Sequence, residues 1–138
     1  MHLTNYAINK KNPKFVYNNS SQRMDVGHKR SLTSVLKMIQ KKGFDVEQIK
    51  EKINDAIVKT IILGHPLAAH QYRFCQPDDE QRNMCFHILG IDIMLDSDCK
   101  PFVLEVNHTP SFVTDTPLDR HIKFQLIKDT LILMNITP

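Results

Sequence analysis

The sequence is short of the residues that mark several familiar chemistries. Its three cysteines, Cys75, Cys85 and Cys99, are odd in number and lack the paired spacing of a zinc site. They read as reduced cytosolic thiols, not as a disulfide framework. Seven histidines are scattered, with no HExxH or similar metal spacing. Only four glycines occur, at Gly27, Gly43, Gly64 and Gly90, and no G-x-x-x-x-G-K-[ST] phosphate loop can be drawn through them. No run of eighteen apolar residues exists, so no transmembrane helix is expected and no membrane partner follows. The segment from His2 to Lys10 is polar and does not read as a signal peptide. The basic residues have no interleaved aromatic platform and form no known DNA- or RNA-binding motif, so nucleic acid is not expected as a partner. Internal repeats and low-complexity tracts are absent as well.

What is present suits one globular domain. The chain has 138 residues, 41% apolar and 24% charged, enough for a real core. Its net charge of +3 hides an asymmetry. Residues 1–60 carry twelve Lys and Arg against five Asp and Glu, or +7; residues 61–138 carry six against ten, or −4. A basic flank can steer an acidic partner, and it can equally be a solvated helical surface.

Along the chain, Leu3, Tyr6 and Ile8 suggest a strand or strand end over HLTNYAINK. Asn12 to Lys29 is polar, with Pro13 and Asn18-Asn19-Ser20-Ser21, and reads as a loop. The periodicity of Leu32, Val35, Leu36 and Ile39 predicts a helix over Arg30–Lys42, capped by Ser31 and stopped by Gly43. A second helix should start at Asp45, with Gln48 as capping-box partner. Its stripe is Val46, Ile49, Ile53, Ile57 and Ile61, and Gly64 should end it. A further short helix is expected over Pro66–Phe74, then an acidic loop at Asp78-Asp79-Glu80 that reads as solvated, and a helical turn over Met84–Leu89. A last helix should be capped by Asp115 or Thr116, with Pro117 at its first position and Leu118, Ile122, Leu126 and Leu133 on the buried side.

The organising stretch is GIDIMLDSDCKPFVLEVNHTPSF, Gly90 to Phe112. Two alternating apolar segments flank the polar turn Ser97-Asp98-Cys99-Lys100, which is a β-hairpin pattern. Glu105 and Asn107 are two apart on one strand and share a face. Asp92 comes near them when the strands pair. Two carboxylates and an amide oxygen are hard ligands of the kind that hold Mg²⁺ together with substrate phosphates. The same residues also fit an ordinary hairpin with solvent-facing acids. Phe86, Phe102 and Phe112 flank the strands and are expected in the core.

GIDIMLD followed by PFVLEVNHTPSF resembles the metal-binding hairpin of the tubulin–tyrosine ligase-like family. HLTNYAINK, upstream of it in the same order, resembles a second hallmark of that family, and CFHILGIDIMLDSDCKPFVLEVNHTPSFVTD is most similar to the polyglutamylase branch. The resemblance covers essentially the whole chain. It implies an α+β fold, the second half of an ATP-grasp domain, with an antiparallel sheet and covering helices. Residues 1–138 would then be a partial catalytic domain whose N-terminal portion, with the adenine pocket and phosphate lysines, lies upstream.

The implied activity is an ATP-dependent ligase that adds L-glutamate to protein glutamate side chains. ATP phosphorylates a carboxylate, and an amine then attacks the acylphosphate. The implied acceptors are the acidic C-terminal tails of tubulin in microtubules. The implied setting is the cytoplasm and cytoskeleton, including cilium or basal body. The implied cofactors are ATP and Mg²⁺, with Asp92, Glu105 and Asn107 as metal ligands. Thr4 and Asn5 match nucleotide contacts. Tyr6, Lys29 and His108 match substrate-side positions, while Ala7 stands where many relatives carry a serine. Lys29 would hold the carboxylate of the incoming amino acid. No catalytic residue beyond the metal ligands is implied. A sister ligase adding glycine or tyrosine, or an inactive microtubule-binding fragment, remains the alternative.

Overall fold

The computed structural model describes residues 6–20, 23–81 and 85–136. The element order is α1 (Tyr6–Asn9), α2 (Leu32–Lys41), α3 (Val46–Cys75), β1 (Gly90–Leu95), β2 (Pro101–Asn107) and α4 (Pro117–Leu133). The class is α+β with a two-stranded antiparallel sheet, as the resemblance implies. Two units divide the chain: Met1–Lys42 with Phe112–Pro138, and Gly43–Ser111.

In the first unit, the HLTNYAINK segment is not a strand where it is described. Tyr6–Asn9 forms one helical turn, closed by the Lys10 N–H to the Tyr6 carbonyl at 2.9 Å. The following loop is held by specific bonds. The His28 N–H reaches the Val16 carbonyl at 3.0 Å, and the Val16 N–H reaches His28 Nδ1 at 3.0 Å. Gly27 sits at φ +77°, and a Cβ there would lie 2.7 Å from the Val16 carbonyl oxygen. Ser31 caps α2 by accepting from the Ser34 N–H at 3.2 Å. The Ser34 hydroxyl in turn donates to the Met24 carbonyl at 2.7 Å, fixing the loop to the helix. Leu36 is buried and Val35 and Ile39 are half-buried, but Leu32 is 66% exposed.

Thr116 caps α4 and Pro117 follows at its first position, where a missing N–H costs nothing. Leu118 is buried as expected. Ile122, Leu126 and Leu133 are exposed, Leu133 at 86%, so the buried residues of α4 lie in its first turn.

In the second unit, Asp45 caps α3 by accepting from the Glu47 and Gln48 N–H groups. The capping box does not close. The Gln48 side chain instead accepts from Lys52 Nζ at 2.8 Å, one turn ahead. The helix also does not end at Gly64, and no separate helix starts at Pro66. It runs on to Cys75 through both residues. A glycine in helical conformation costs roughly 1 kcal/mol against alanine but does not break the hydrogen-bond ladder, and a proline removes one donor. The stripe holds through Ile49, Ile53 and Ile57, then fails at the exposed Ile61. The Tyr72 hydroxyl donates to the Asp79 carboxylate, so the acidic loop is tied back to the helix, not merely solvated. Residues 85–89 contain no helical turn, and Met84 lies outside the described residues.

The helix α3 packs against β2. The strands pair Gly90 with Asn107, Ile91 with Val106, Asp92 with Glu105, Ile93 with Val103, Met94 with Phe102 and Leu95 with Pro101, with a register shift between Asp92 and Ile93. Leu104 is therefore an extra residue in β2, a β-bulge. The turn is held by Asp96, whose Oδ1 accepts from the Asp98 N–H at 3.0 Å and the Lys100 N–H at 2.8 Å. Cys99 supplies its left-handed residue at φ +59°. Phe86, Phe102 and Phe112 are exposed, contrary to the core assignment. For Phe102 the cause is the bulge, which turns it to the face of Met94 and Asp92, away from Ile91, Ile93 and Leu95.

Candidate active site

The pairing of β1 with β2 fixes the first group. Directly opposite residues of an antiparallel pair point to one face, so Asp92 and Glu105 project together. Asn107, two residues beyond Glu105, lies on that face opposite Gly90. Its Nδ2 donates to Glu105 Oε1 at 3.0 Å, a bond that leaves the amide oxygen uncommitted. Partial burial, hydrogen bonding with Glu105 and the Glu105 charge together hold the Asp92 carboxyl above its usual value. Neither carboxylate takes part in an ion pair among the described residues. Two adjacent carboxylates beside an available amide oxygen fit a hard divalent cation. Among the described residues, no group of three or more His, Cys, Asp or Glu forms a metal cluster. The fit rests on the mixed carboxylate and amide donor set.

The chain leaves this face under control. The His87 ring donates through Nε2 to the His108 carbonyl, and His108 itself is exposed. A Cβ on Gly90 would approach Pro110 Cβ to 3.1 Å and Asn107 Cβ to 3.5 Å, so glycine permits the turn to close over the start of β1. Neither His87 nor Gly90 was singled out from sequence. The glycine that opens the first strand was the available signal for Gly90, since a glycine at a strand end can mark close backbone approach.

The second group lies in the other unit. Lys29 Nζ is 2.6 Å from Asp119 Oδ1, with the Asp119 side chain 7% exposed and that of Lys29 38% exposed. The same ammonium stands 4.4 Å from the centroid of the Tyr6 ring. Tyr6 meets Phe15 edge-on at 5.9 Å, and Phe15 stacks on the His28 ring at 5.1 Å. The Thr116 hydroxyl donates to Asp119 Oδ2 at 2.8 Å and accepts from the Asp119 N–H at 3.1 Å. Burial pushes the Asp119 carboxyl up. The bonds from Lys29 and Thr116, with the Lys29 and Lys123 charges, outweigh it and hold the group below its ordinary value.

Thr4 and Asn5 lie outside the described residues. Of the expected substrate-side residues, Tyr6 and Lys29 are brought into contact, and His108 follows Asn107 directly. Asp119 was missed. Its visible signal was the Thr116-x-x-Asp119 spacing at a helix start, a capping-box pattern.

With this geometry in place, comparison with known proteins supplies the class. The chain belongs to the tubulin-tyrosine ligase family, whose sequence model matches residues 1–138. It is 60% identical over 137 residues to a probable beta-tubulin polyglutamylase of Tetrahymena thermophila, covering 99% of this chain and 12% of that protein. It is 47% identical over 136 residues to a tubulin polyglutamylase of Danio rerio, covering 99% of this chain and 17% of that protein. A tubulin polyglutamylase of Mus musculus is 46% identical over 136 residues, with 99% and 16% covered. The chain thus spans less than a fifth of the length of these relatives.

Proposed function

We propose that this chain is part of the catalytic domain of an ATP-dependent ligase that adds glutamate to glutamate side chains on tubulin tails. Its fold would be the later half of an ATP-grasp domain. Its ligands for Mg²⁺ would be Asp92, Glu105 and Asn107. Magnesium bound there with ATP would neutralise phosphate charge during phosphoryl transfer. ATP would phosphorylate the acceptor carboxylate with release of ADP, and the amino group of free L-glutamate would attack that acylphosphate, forming the amide as phosphate leaves. Thr4 and Asn5 would face the nucleotide. Tyr6, Lys29 and His108 would face the incoming amino acid. Tubulin in the cytoplasmic cytoskeleton, including that of cilia and basal bodies, would be the acceptor.

The observation that carries the reading is the Asp92–Glu105 register. It puts two carboxylates on one face, and neither is in an ion pair among the described residues. The polyglutamylase names of the relatives support glutamate over glycine or tyrosine. The experiment is amino-acid competition in an active ligase carrying this sequence, with tubulin as acceptor and ATP present. Unlabelled glutamate should suppress incorporation of labelled glutamate, while glycine and tyrosine should not. Preferential incorporation of glycine or tyrosine would contradict the glutamate assignment.

A further inference from the structure

Lys29 is expected to receive the carboxylate of an amino acid, yet its ammonium already meets a buried carboxylate. The Asp119 Oδ1–Lys29 Nζ distance of 2.6 Å is that of a close charge-assisted bond. Asp119 cannot swing away easily. Its Oδ2 is held by the Thr116 hydroxyl, its backbone N–H by the Thr116 oxygen, and it follows the buried Leu118 in the first turn of α4. From the other side, the Tyr6 ring supports the ammonium. A lysine has a flexible stem and three donors on its nitrogen, and is costly to order. One donor is spent on Asp119, and with the Lys29 side chain 38% exposed the other donors remain for a ligand.

We propose that Asp119 is a positioning residue. It fixes Lys29 through a buried ion pair so that the remaining donors of the ammonium meet the carboxylate of the incoming amino acid. This deepens the reading of Lys29 given above and rests on it. Asp119 does not touch substrate. Its effect is to lower the ordering that binding must impose on Lys29, which is the general benefit of preorganisation. A carboxylate beside the ammonium also moderates its charge, so the site favours a carboxylate that arrives in one orientation over any passing anion.

The test uses an active ligase carrying this sequence, with ATP and L-glutamate varied in turn. Asp119→Asn keeps the shape and the Thr116 contact but removes the charge. The expected result is a rise of about tenfold in KM for glutamate, with KM for ATP changed less than about twofold. Asp119→Glu keeps the charge in the first turn of α4 but displaces it by one methylene. It should give the same selectivity of effect if Asp119→Asn fails to fold. In a Lys29→Ala background, Asp119→Asn should add little to the glutamate defect, because the group it positions is gone. A Lys29→Ala variant with unchanged KM for glutamate would refute the role of Lys29 and this inference with it. A normal Lys29→Ala defect, with KM for glutamate untouched by both Asp119 variants, would refute the role of Asp119 alone. Equal losses toward ATP and glutamate would make Asp119 structural and also overturn the inference, whatever the melting temperature.

Discussion

Asp119 is the residue in this chain most exposed to contradictory forces. Burial opposes its charge, while Lys29, Thr116 and Lys123 favour it strongly enough to leave its carboxyl below the ordinary value. A carboxylate whose folded value is depressed stabilises the fold above its unfolded value of about 3.9. That contribution is lost as pH falls through the lower folded value. At neutral pH, Asp119→Asn should cost about 1–3 kcal/mol, between the values for exposed and fully buried pairs because Lys29 is part-exposed. Thermal unfolding across pH checks this. The gap between wild type and variant should close below about pH 4. A gap of undiminished size in strong acid would show that charge is not its source. Gly27 offers a second test at this scale. Its φ of +77° and the 2.7 Å approach to the Val16 carbonyl leave no room for a methyl group. Gly27→Ala should therefore destabilise by more than about 1 kcal/mol in chemical denaturation, whereas an unchanged midpoint would contradict the loop geometry.

Among the elements, α3 departs most from its sequence pattern. Local punctuation at Gly64 and Pro66 suggests two helices, but the ladder continues through both. Gly64 is helical with open space around its missing Cβ. Gly64→Ala should stabilise by about 0.5–1 kcal/mol and raise helical content by circular dichroism. A loss of stability would mean that a break at Gly64 is needed. The hairpin shows the opposite balance. Alternation and the polar turn located both strands, and the spacing of Asp92, Glu105 and Asn107 predicted a shared face. The bulge at Leu104 was not legible, because an extra residue in one strand leaves the apolar alternation intact on paper. It matters at Phe102, which it moves onto the carboxylate face. The apolar stripes of α3 and α4 were readable as periodicity, but which of their turns become covered depends on neighbours the pattern does not name. The Lys29–Asp119 pair was hidden for a related reason. It joins a loop to a helix start far along the chain, and no local spacing encodes it.

For the molecule as a whole, the charge asymmetry does not follow its structural division. The basic residues 1–60 fall partly in the unit built on α2 and α4 and partly at the start of α3. The proposed metal site makes a narrower claim: Asp92, Glu105 and Asn107 would together hold the divalent cation on which the proposed ligation depends. Its most direct test is glutamate incorporation into tubulin by an active ligase carrying this sequence, measured against Mg²⁺ concentration at saturating ATP. Glu105→Gln removes one charged ligand while keeping size and hydrogen bonding. The account predicts at least about a hundredfold loss of turnover at low Mg²⁺, partly recovered as the metal is raised, with the melting temperature nearly unchanged. Full turnover by Glu105→Gln with the wild-type Mg²⁺ dependence would contradict it.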